Sequence, residues 1–273
     1  MKYDNARPPM AVILAAGVGS RLSPLTDKTA KSLLSVGGSV ILERMIRNCL
    51  SCGISQFVVV LGHRADDIKQ FIDKTFRGIR VTYVINDRYR DTNTGYSLML
   101  ASSTVGTAEF IKFNADVVFE TRILRALIDS DRPNLLCIDR NIAAADKEVK
   151  VIADGEMRVS EFGKSVDPAT ALGESIGIEK ISAVTGPLLF AELTEMMESR
   201  ANAQAHCEVA YARLVHKGIP FHALDITDMK WTEINTPEDF AASNAMFGTP
   251  IMTVSRSQQR SLDEAGSNPQ RRL

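Results

Sequence analysis

Short apolar runs alternate with amphipathic segments along the first half of the chain. Apolar runs of strand length recur at residues 11–14, 57–61, 81–85 and 110–113. Between them, apolar positions three or four residues apart indicate helices over 41–52, 65–76 and 96–102. Because parallel strands are buried on both faces and need helical connections, this alternation predicts a doubly wound α/β sheet.

The pattern changes from about residue 134. Strands are expected over 135–139, 176–181, 221–224 and 229–231, and helices over 187–200 and 207–217. Asp154-Gly155 lies between apolar segments at 148–152 and 157–159, which predicts a hairpin. Since no linker-like stretch separates the halves, we expect one domain over 10–248, with halves 10–133 and 134–248 and flexible termini at 1–9 and 249–273.

The first apolar run leads into a loop that suits phosphate binding. The loop contains Gly17, Gly19, Ser20 and Arg21, and Lys31 follows ten residues later. Glycines let backbone N–H groups approach an anion closely. A guanidinium offers a planar fork of donors to phosphate oxygens, and an ammonium offers a compact positive charge. The loop therefore indicates binding and activation of a nucleoside triphosphate.

Other interpretations of this loop remain open. A dinucleotide fingerprint requires a third small residue, and Leu22 stands there. A Walker loop requires glycine before the lysine, and Ala30 stands there. A structural turn with a surface arginine is the third alternative.

Composition narrows the class of protein. The 273 residues are 45% hydrophobic and 24% charged, with a formal net charge of −1. This charge excludes a strongly basic nucleic-acid-binding surface, and no apolar run approaches the ~18 residues that a membrane span needs. Residues 1–9 are polar and do not resemble a signal peptide. We therefore expect a cytoplasmic protein that does not bind nucleic acid and does not insert into a membrane, and the sequence leaves a homo-oligomer open.

The cysteines favour no metal or disulfide. Cys49 and Cys52 form a C-x-x-C motif, but no second such motif or nearby histidine pair completes a zinc site. We expect reduced thiols packed near the end of a helix, and we expect Cys137 and Cys207 to be isolated core residues.

Two polar positions that follow strands predict a magnesium site. Asp116 ends an apolar strand, where a carboxylate is costly unless it is paired or metal-bound. Glu233 and Asn235 alternate after Trp231 and are expected to share one face of a strand. Thr236 is expected to cap the next helix, which leaves Asn235 free. Mg²⁺ prefers few carboxylates together with substrate phosphates and water, so Asp116 and Asn235 are the predicted metal ligands.

Residues 11–38 resemble the signature of nucleotidyltransferases that make activated sugars and alcohols. The matching string is A-V-I-L-A-A-G-x-G-x-R-L-x-P-L-T-x-x-x-x-K-x-L-L-x-V-G-G. The family usually has proline before the lysine, where this chain has Ala30. The late segment at 231–239 resembles the family's W-x-E-I-D-T-P-E-D, with Asn235 in place of aspartate. The resemblance implies a single-domain, Rossmann-like mixed sheet of the GT-A type, with nucleotide-binding and acceptor-binding halves.

The resemblance also implies the chemistry. An acceptor oxygen attacks the α-phosphorus of an NTP in line, and pyrophosphate leaves with the help of Mg²⁺ at Asp116 and Asn235. Arg21 and Lys31 are expected to hold the triphosphate and to act with Asp116 in catalysis. The predicted nucleotide-binding residues are Leu14, Ala16, Gly17, Gly19, Ser20, Arg21, Asn93, Thr94, Gly95 and Ser97.

The segment at 93–98 resembles the N-x-x-Y-S-L element of the phosphocholine, aminoethylphosphonate and inositol-phosphate cytidylyltransferases. This similarity favours CTP as donor and a phosphate or phosphonate monoester of a small alcohol as acceptor. The predicted acceptor-binding residues are Lys150, Lys164, Glu174, Glu208, Trp231 and Glu233. A low aromatic content of 6% weakens the case for a choline cage.

Three functions from different classes follow. The first is a CTP-dependent cytidylyltransferase acting on a phosphoalcohol or phosphonate. The second is a sugar-1-phosphate nucleotidylyltransferase that uses UTP, GTP or dTTP. The third is a non-catalytic nucleotide-binding regulator, which only the Asn235 substitution keeps open.

Overall fold

A computed structural model describes residues 8–141 and 149–248 of the chain. Its strands are β1 (Met10–Ala15), β2 (Ser35–Val36), β3 (Ser39–Val40), β4 (Gln56–Leu61), β5 (Arg80–Ile85), β6 (Phe110–Asn114), β7 (Val117–Phe119), β8 (Leu135–Asp139), β9 (Lys150–Ala153), β10 (Val159–Gly163), β11 (Gly173–Ile181), β12 (His222–Asp225) and β13 (Trp231–Glu233). Its helices are α1 (Ile41–Ser51), α2 (Ala65–Thr75), α3 (Thr94–Leu100), α4 (Ser102–Val105), α5 (Thr121–Asp129), α6 (Thr185–Glu198), α7 (Cys207–His216) and α8 (Pro237–Phe247).

Most strands form one mixed sheet, in the order β10-β9-β11-β6-β1-β4-β5. Two further strands belong to the same sheet: β8 also pairs with β11, and β12 pairs with β8. The strands β6, β1, β4 and β5 run parallel to one another. The long strand β11 runs antiparallel to β6, β8 and β9. The predicted doubly wound α/β sheet is therefore confirmed, with parallel pairing in the first half of the chain and mainly antiparallel pairing in the second.

Helices cover both faces of this sheet because the side chains of each buried strand alternate. On β1, Ile13 packs with residues of α1, α2 and α5, whereas Val12 packs on the other face with residues of α3, α6 and α7. Both residues are fully buried. A strand that is apolar on both faces is what a sheet between two helical layers requires.

Two local predictions hold in detail. The hairpin at Asp154-Gly155 joins the antiparallel pair β9 and β10. Thr236 caps α8 by accepting from the backbone N–H of Asp239, and the Asp239 carboxylate accepts from the N–H of Thr236 in return. This reciprocal capping box is the arrangement that the Thr-Pro-Glu-Asp sequence favours.

The start of one helix and the end of one strand differ from the predictions. Helix α3 begins at Thr94, two residues before the predicted start, because the Asn93 side chain accepts from the N–H of Thr94 and caps the helix. Strand β13 ends at Glu233, so Asn235 lies in the following loop and not on the strand.

The cysteines are free thiols, of which Cys49, Cys137 and Cys207 are buried and Cys52 is half-buried. None of the helices in that part of the chain has the length and apolar character that a membrane crossing requires. Residues 1–7 of the predicted terminus at 1–9, the whole predicted terminus at 249–273, and residue 148 of the predicted hairpin strand lie outside the described residues.

Candidate active site

A cleft of about 910 Å³ opens at the carboxyl ends of the parallel strands. The glycine loop after β1, the loop after β6 and the start of α3 line it on one side. Strand β11 and the start of α7 line it on the other. The edge formed by the carboxyl ends of the strands is where open α/β sheets bind ligands.

The conformation of the glycine loop brings it against Lys31. Gly19 has a left-handed backbone, with φ of +70°. A Cβ added to Gly19 would lie 3.2 Å from both Lys31 Cβ and Thr26 Cγ2. The Thr26 hydroxyl donates to the Gly19 carbonyl at 2.9 Å. Glycine at position 19 therefore permits both the turn and the close approach of the lysine.

Lys31 joins two segments that are distant in sequence. Its Nζ lies 2.6 Å from Asp116 Oδ2 and donates to Asn235 Oδ1 at 3.0 Å. Arg21 donates to the same Asn235 oxygen at 3.0 Å. The four residues that the sequence singles out for catalysis and metal binding thus form one hydrogen-bonded group.

The backbone explains how Asp116 and Asn235 meet. Asp116 stands between β6 and β7, and β7 pairs antiparallel with β13, with Glu233 opposite Val117. Just beyond this pair, Ile234 N–H donates to the Asp116 carbonyl at 3.1 Å. This short ribbon places the loop residue Asn235 beside Asp116.

The group fits a magnesium ion. Within the described residues, Asp116 Oδ1 is buried and has no hydrogen-bond partner. A buried carboxylate oxygen without a donor is costly unless a cation contacts it. No set of three or more His, Cys, Asp or Glu side chains in the described ranges forms a metal cage. Mg²⁺ usually binds through one or two protein oxygens together with phosphates and water, so Asp116 and Asn235 match this metal.

The acceptor side of the cleft carries a lysine, a histidine and a glutamate. His206 Nε2 lies 3.4 Å from Lys164 Nζ and also 3.4 Å from Asn93 Nδ2. Burial lowers the pKa of His206, and Lys164 and Lys112 lower it further against the opposing charge of Glu208. Glu208 also lines the cleft and is 7% exposed.

Most of the predicted site residues line this one cleft. They are Leu14, Gly17, Gly19, Ser20, Arg21, Lys31, Asn93, Thr94, Asp116, Lys164, Glu208, Glu233 and Asn235. Their roles in binding remain predictions, but the structure places all of them where a single pair of substrates can reach them.

Three predicted nucleotide-binding residues are not brought to the cleft. The Ala16 carbonyl accepts from His63 N–H at 3.0 Å. Gly95 packs against the Ala205 carbonyl, which a Cβ would approach to 2.7 Å. Ser97 is buried and accepts from Asn86 at 3.0 Å. These residues therefore support the walls of the cleft, and direct contact with the nucleotide stays a prediction for them.

Three predicted acceptor-binding residues also lie outside the cleft lining. Lys150 and Glu174 are buried opposite each other on β9 and β11, where strand pairing holds them. Trp231 donates its indole N–H to Asp139 at 2.7 Å. Direct contact of these three residues with the acceptor stays a prediction, and the structure shows each of them in packing or pairing within the fold.

The sequence predictions missed several residues at the cleft. Ser32, Asn114, Gly177 and His206 line it. Gly177 has φ of +76°, and a Cβ there would collide with the Asn114 side chain. Asn114 had a signal in the sequence, because it ends the same strand that Asp116 follows. Gly177 and His206 stand close in sequence to Glu174 and Glu208, which were predicted to bind the acceptor, so they had a weaker signal.

Comparison with known proteins agrees with this geometry. The CMP-5'-(3-aminopropyl)phosphonate synthase of Streptomyces rubellomurinus is 26% identical to this chain over 271 residues. The match covers 95% of this chain and 41% of that protein. The bifunctional IPC transferase and DIPP synthase of Aquifex aeolicus is 27% identical over 236 residues, covering 84% and 49% respectively. The chain thus spans less than half the length of these two relatives.

Solved structures show the same fold. The inositol-1-phosphate CTP transferase from T. maritima superposes with a TM-score of 0.74 at 19% identity, covering 88% of this chain and 96% of that one. The CTP:phosphocholine cytidylyltransferase from Streptococcus pneumoniae superposes with a TM-score of 0.73 at 21% identity, covering 87% and 99%. The expected nucleotidyltransferase fold is confirmed.

The family comparison covers the glycine loop, Lys31 and Asp116 together. A model described as the MobA-like NTP transferase domain matches residues 11–151, which is more than half of the chain. The resemblance seen in the sequence is confirmed, and the chain belongs to the family of MobA-like NTP transferase domains.

Proposed function

We propose that this protein transfers CMP from CTP to a small phosphate or phosphonate monoester and releases pyrophosphate. One observation carries the proposal: Arg21, Lys31, Asp116 and Asn235 form a single hydrogen-bonded group in the cleft that Lys164 also lines. The names of the relatives, which include phosphonate, inositol-phosphate and choline-phosphate enzymes, support this acceptor class.

The donor nucleotide binds at the glycine-loop end. Backbone amides of Gly17 and Gly19 face the triphosphate, and Arg21 neutralises its β- and γ-phosphates. Lys31 binds near the α-phosphate, where negative charge builds up in the transition state. Lys31 lies against Asp116 and Asn235, so its ammonium stands beside the predicted metal ligands, and phosphates and Mg²⁺ replace these contacts when the donor binds.

Asp116 and Asn235 would hold Mg²⁺, which supplies charge neutralisation at the phosphate oxygens when bound. Lys164 binds the acceptor's phosphate or phosphonate group from the opposite wall. An oxygen of this group forms a bond to the α-phosphorus while the bond from that phosphorus to the pyrophosphate oxygen breaks. The acceptor is already anionic at neutral pH, so no side chain needs to remove a proton, and positioning dominates catalysis.

The proposal is tested by pyrophosphate release with Mg²⁺. CTP, UTP, GTP and dTTP are each combined with phosphocholine, 2-aminoethylphosphonate, inositol phosphate and hexose-1-phosphates. We expect turnover with CTP and a non-sugar acceptor. Turnover only with UTP, GTP or dTTP and a sugar phosphate would replace the proposal with a sugar nucleotidylyltransferase. NTP binding without turnover for any pair would favour the regulatory alternative.

A matched pair of lysine variants tests the site itself. Lys31→Met is expected to lower kcat/KM by about 100-fold or more, the scale on which single stabilising donors act. Lys28→Met is the control, because Lys28 lies nearby in the sequence and is exposed. Equal activity of the two variants would contradict the role of Lys31.

A further inference from the structure

A buried lysine holds one of the polar side chains that line the cleft. Lys112 on β6 has a fully buried side chain, and its Nζ lies 2.7 Å from Oε2 of the equally buried Glu179 on β11. Glu208 Oε1 lies 3.8 Å from the same Nζ. This ammonium also donates to Asn114 Oδ1 at 3.1 Å and to the Gly177 carbonyl at 3.5 Å. Lys112 thus connects the cleft residue Asn114 to the core.

The ammonium fixes the orientation of the Asn114 amide. An ammonium has three N–H donors and no acceptor, so the amide atom in contact with Lys112 is the oxygen. The nitrogen, Nδ2, therefore occupies the other branch of the amide. On that branch, a Cβ added to Gly177 would lie 2.4 Å from Nδ2, so glycine at position 177 is what leaves room for the amide.

The two N–H groups of Nδ2 are available to a ligand. Among the described residues, they have no acceptor. Asn114 is half-buried and lines the cleft. When substrates displace water from such a site, a donor that finds no acceptor costs free energy. A substrate atom that accepts a hydrogen bond is therefore the partner that Nδ2 requires.

Asn114 stands between the two sides of the cleft. In the sheet, β6 lies between β1 and β11. Asn114 pairs with Leu14 of β1, which comes three residues before Gly17 of the glycine loop. On its other side it contacts Gly177 of β11. Since the glycine loop is the proposed triphosphate site and β11 belongs to the acceptor side, Asn114 lies where the two substrates meet.

We infer that Asn114 is a catalytic residue whose Nδ2 donates to a non-bridging oxygen of the α-phosphate during transfer. The inference rests on the proposed function and adds a hydrogen-bond donor to it. An acceptor oxygen forms a bond to the α-phosphorus while the bond to the pyrophosphate oxygen breaks, and its electron pair leaves with pyrophosphate. Asn114 keeps its protons throughout. Charge spreads over the oxygens of the transferred group, and a donor that is already oriented stabilises this charge without reorganisation.

The Asn114→Asp variant separates a catalytic donor from a structural side chain. It keeps the shape and the oxygen that accepts from Lys112, but it replaces Nδ2 by an oxygen that cannot donate. The measurement is pyrophosphate release with CTP, Mg²⁺ and the acceptor that gives the highest turnover. We expect kcat to fall by about 100- to 1000-fold, the scale of one transition-state donor. A purely structural role predicts nearly full activity, because the contact with Lys112 remains.

The Asn114→Ala variant removes the donor without adding charge. It should lower kcat by about 100-fold, with KM for CTP and for the acceptor nearly unchanged, because the lost interaction acts in the transition state. Asn141→Asp and Asn141→Ala, at an exposed position, are the matched controls and should keep kcat. If Asn114→Ala does not fold, Asn114→Asp still decides the inference.

Phosphorothioate donors locate the hydrogen bond. The two diastereomers of CTP with sulfur at a non-bridging α-position each replace one oxygen by a weaker acceptor. For one of them, the ratio of kcat with CTP to kcat with the thio analogue is expected to be about 3- to 30-fold smaller in Asn114→Ala than in the unmodified protein, the scale of coupling between groups in contact.

The outcomes separate the two proposals. Full activity of Asn114→Asp, a loss confined to KM, or thio ratios that Asn114→Ala leaves unchanged for both diastereomers would overturn the role of Asn114 and leave nucleotidyl transfer intact. Absence of pyrophosphate release by the unmodified protein with every donor and acceptor pair would overturn the proposed function, and the inference with it.

Discussion

At the glycine-loop end of the cleft, the paired side chains of Lys31 and Asp116 remain partly open to solvent, whereas the paired side chains of Lys112 and Glu179, behind the acceptor side, are sealed in the core. The Lys31 and Asp116 side chains are 15% and 22% exposed. Those of Lys112 and Glu179 are 0% exposed. Phosphates and a metal can replace the partners of an exposed pair. A sealed pair cannot exchange partners, so it contributes mainly to the stability and charge of the wall.

This difference predicts that variants at the two ends separate activity from stability. Asp116→Ala is expected to have the largest effect, lowering kcat/KM for pyrophosphate release by about 1000-fold, because a predicted metal ligand and the partner of Lys31 are lost together. The midpoint of urea unfolding should change little. Asp129→Ala, at the exposed end of α5, is the control. Retained activity in Asp116→Ala would remove the predicted metal site.

Lys112→Met is expected to have the next largest effect. This effect falls on the free energy of unfolding. Removing the buried ammonium leaves Glu179 and Glu208 without their cation, which costs about 3–5 kcal/mol of unfolding free energy. Urea unfolding measures the loss, and Lys69→Met at an exposed position of α2 is the control. Adding Glu179→Met to Lys112→Met should recover a large part of the loss. A stable Lys112→Met protein would contradict the contrast between the two ends.

The pH dependence of stability sharpens the same contrast. Burial raises the pKa of Glu179 from 4.5 to about 7 in the folded protein. Between these values the folded state binds more protons than the unfolded state, so stability is present at low pH and is lost as the pH rises through 7. Glu179→Gln should reduce the loss of unfolding free energy between pH 5 and 7.5 by about 1–3 kcal/mol.

The measurement is urea unfolding of the unmodified and Glu179→Gln proteins at several pH values. The other titrating groups are common to both, so the difference between the two curves isolates Glu179. Glu195→Gln serves as the exposed control. Curves that stay parallel would show that Glu179 does not titrate in this range.

Asn235→Asp is expected to have the smallest effect. The substitution adds a negative charge beside Asp116, so the Mg²⁺ concentration at half-maximal pyrophosphate release should fall by about 3- to 10-fold. Titration with Mg²⁺ at saturating CTP measures this shift. Asn141→Asp, at an exposed position, should leave the value unchanged. A higher Mg²⁺ requirement would show that hydrogen bonds from Arg21 and Lys31 matter more than charge here.

Much of the fold could be predicted because its signals are local. Every residue of β1 is apolar, which indicates a strand that is buried on both faces, with successive side chains pointing to opposite sides of the sheet. The cap of α8 follows from the short sequence at Thr236 and Asp239. The predicted start of α3 is two residues late, because the spacing of apolar residues does not show that Asn93 caps the helix, although asparagine is a favoured capping residue.

The candidate site divides in the same way. Arg21 and Lys31 stand close in the sequence, and a glycine loop after a strand indicates their shared purpose. Lys150, Glu174 and Trp231 lie outside the cleft lining, because a charged or aromatic residue in the sequence does not reveal whether it faces a cleft or a neighbouring strand. Lys112 lies within the apolar run at 110–113, and a lysine at such a position indicates that a buried partner of opposite charge lies nearby.

By itself, the sequence determined the order of strands and helices, the glycine loop after β1 and the family, since each depends on neighbouring residues or on a short motif. The tertiary structure decided what depends on distant segments. The ribbon between β7 and β13 sets Asn235 beside Asp116, and β11 and α7 bring Glu179 and Glu208 to Lys112. Sheet pairing across long sequence separations fixes these distances, and spacing along the chain does not encode them.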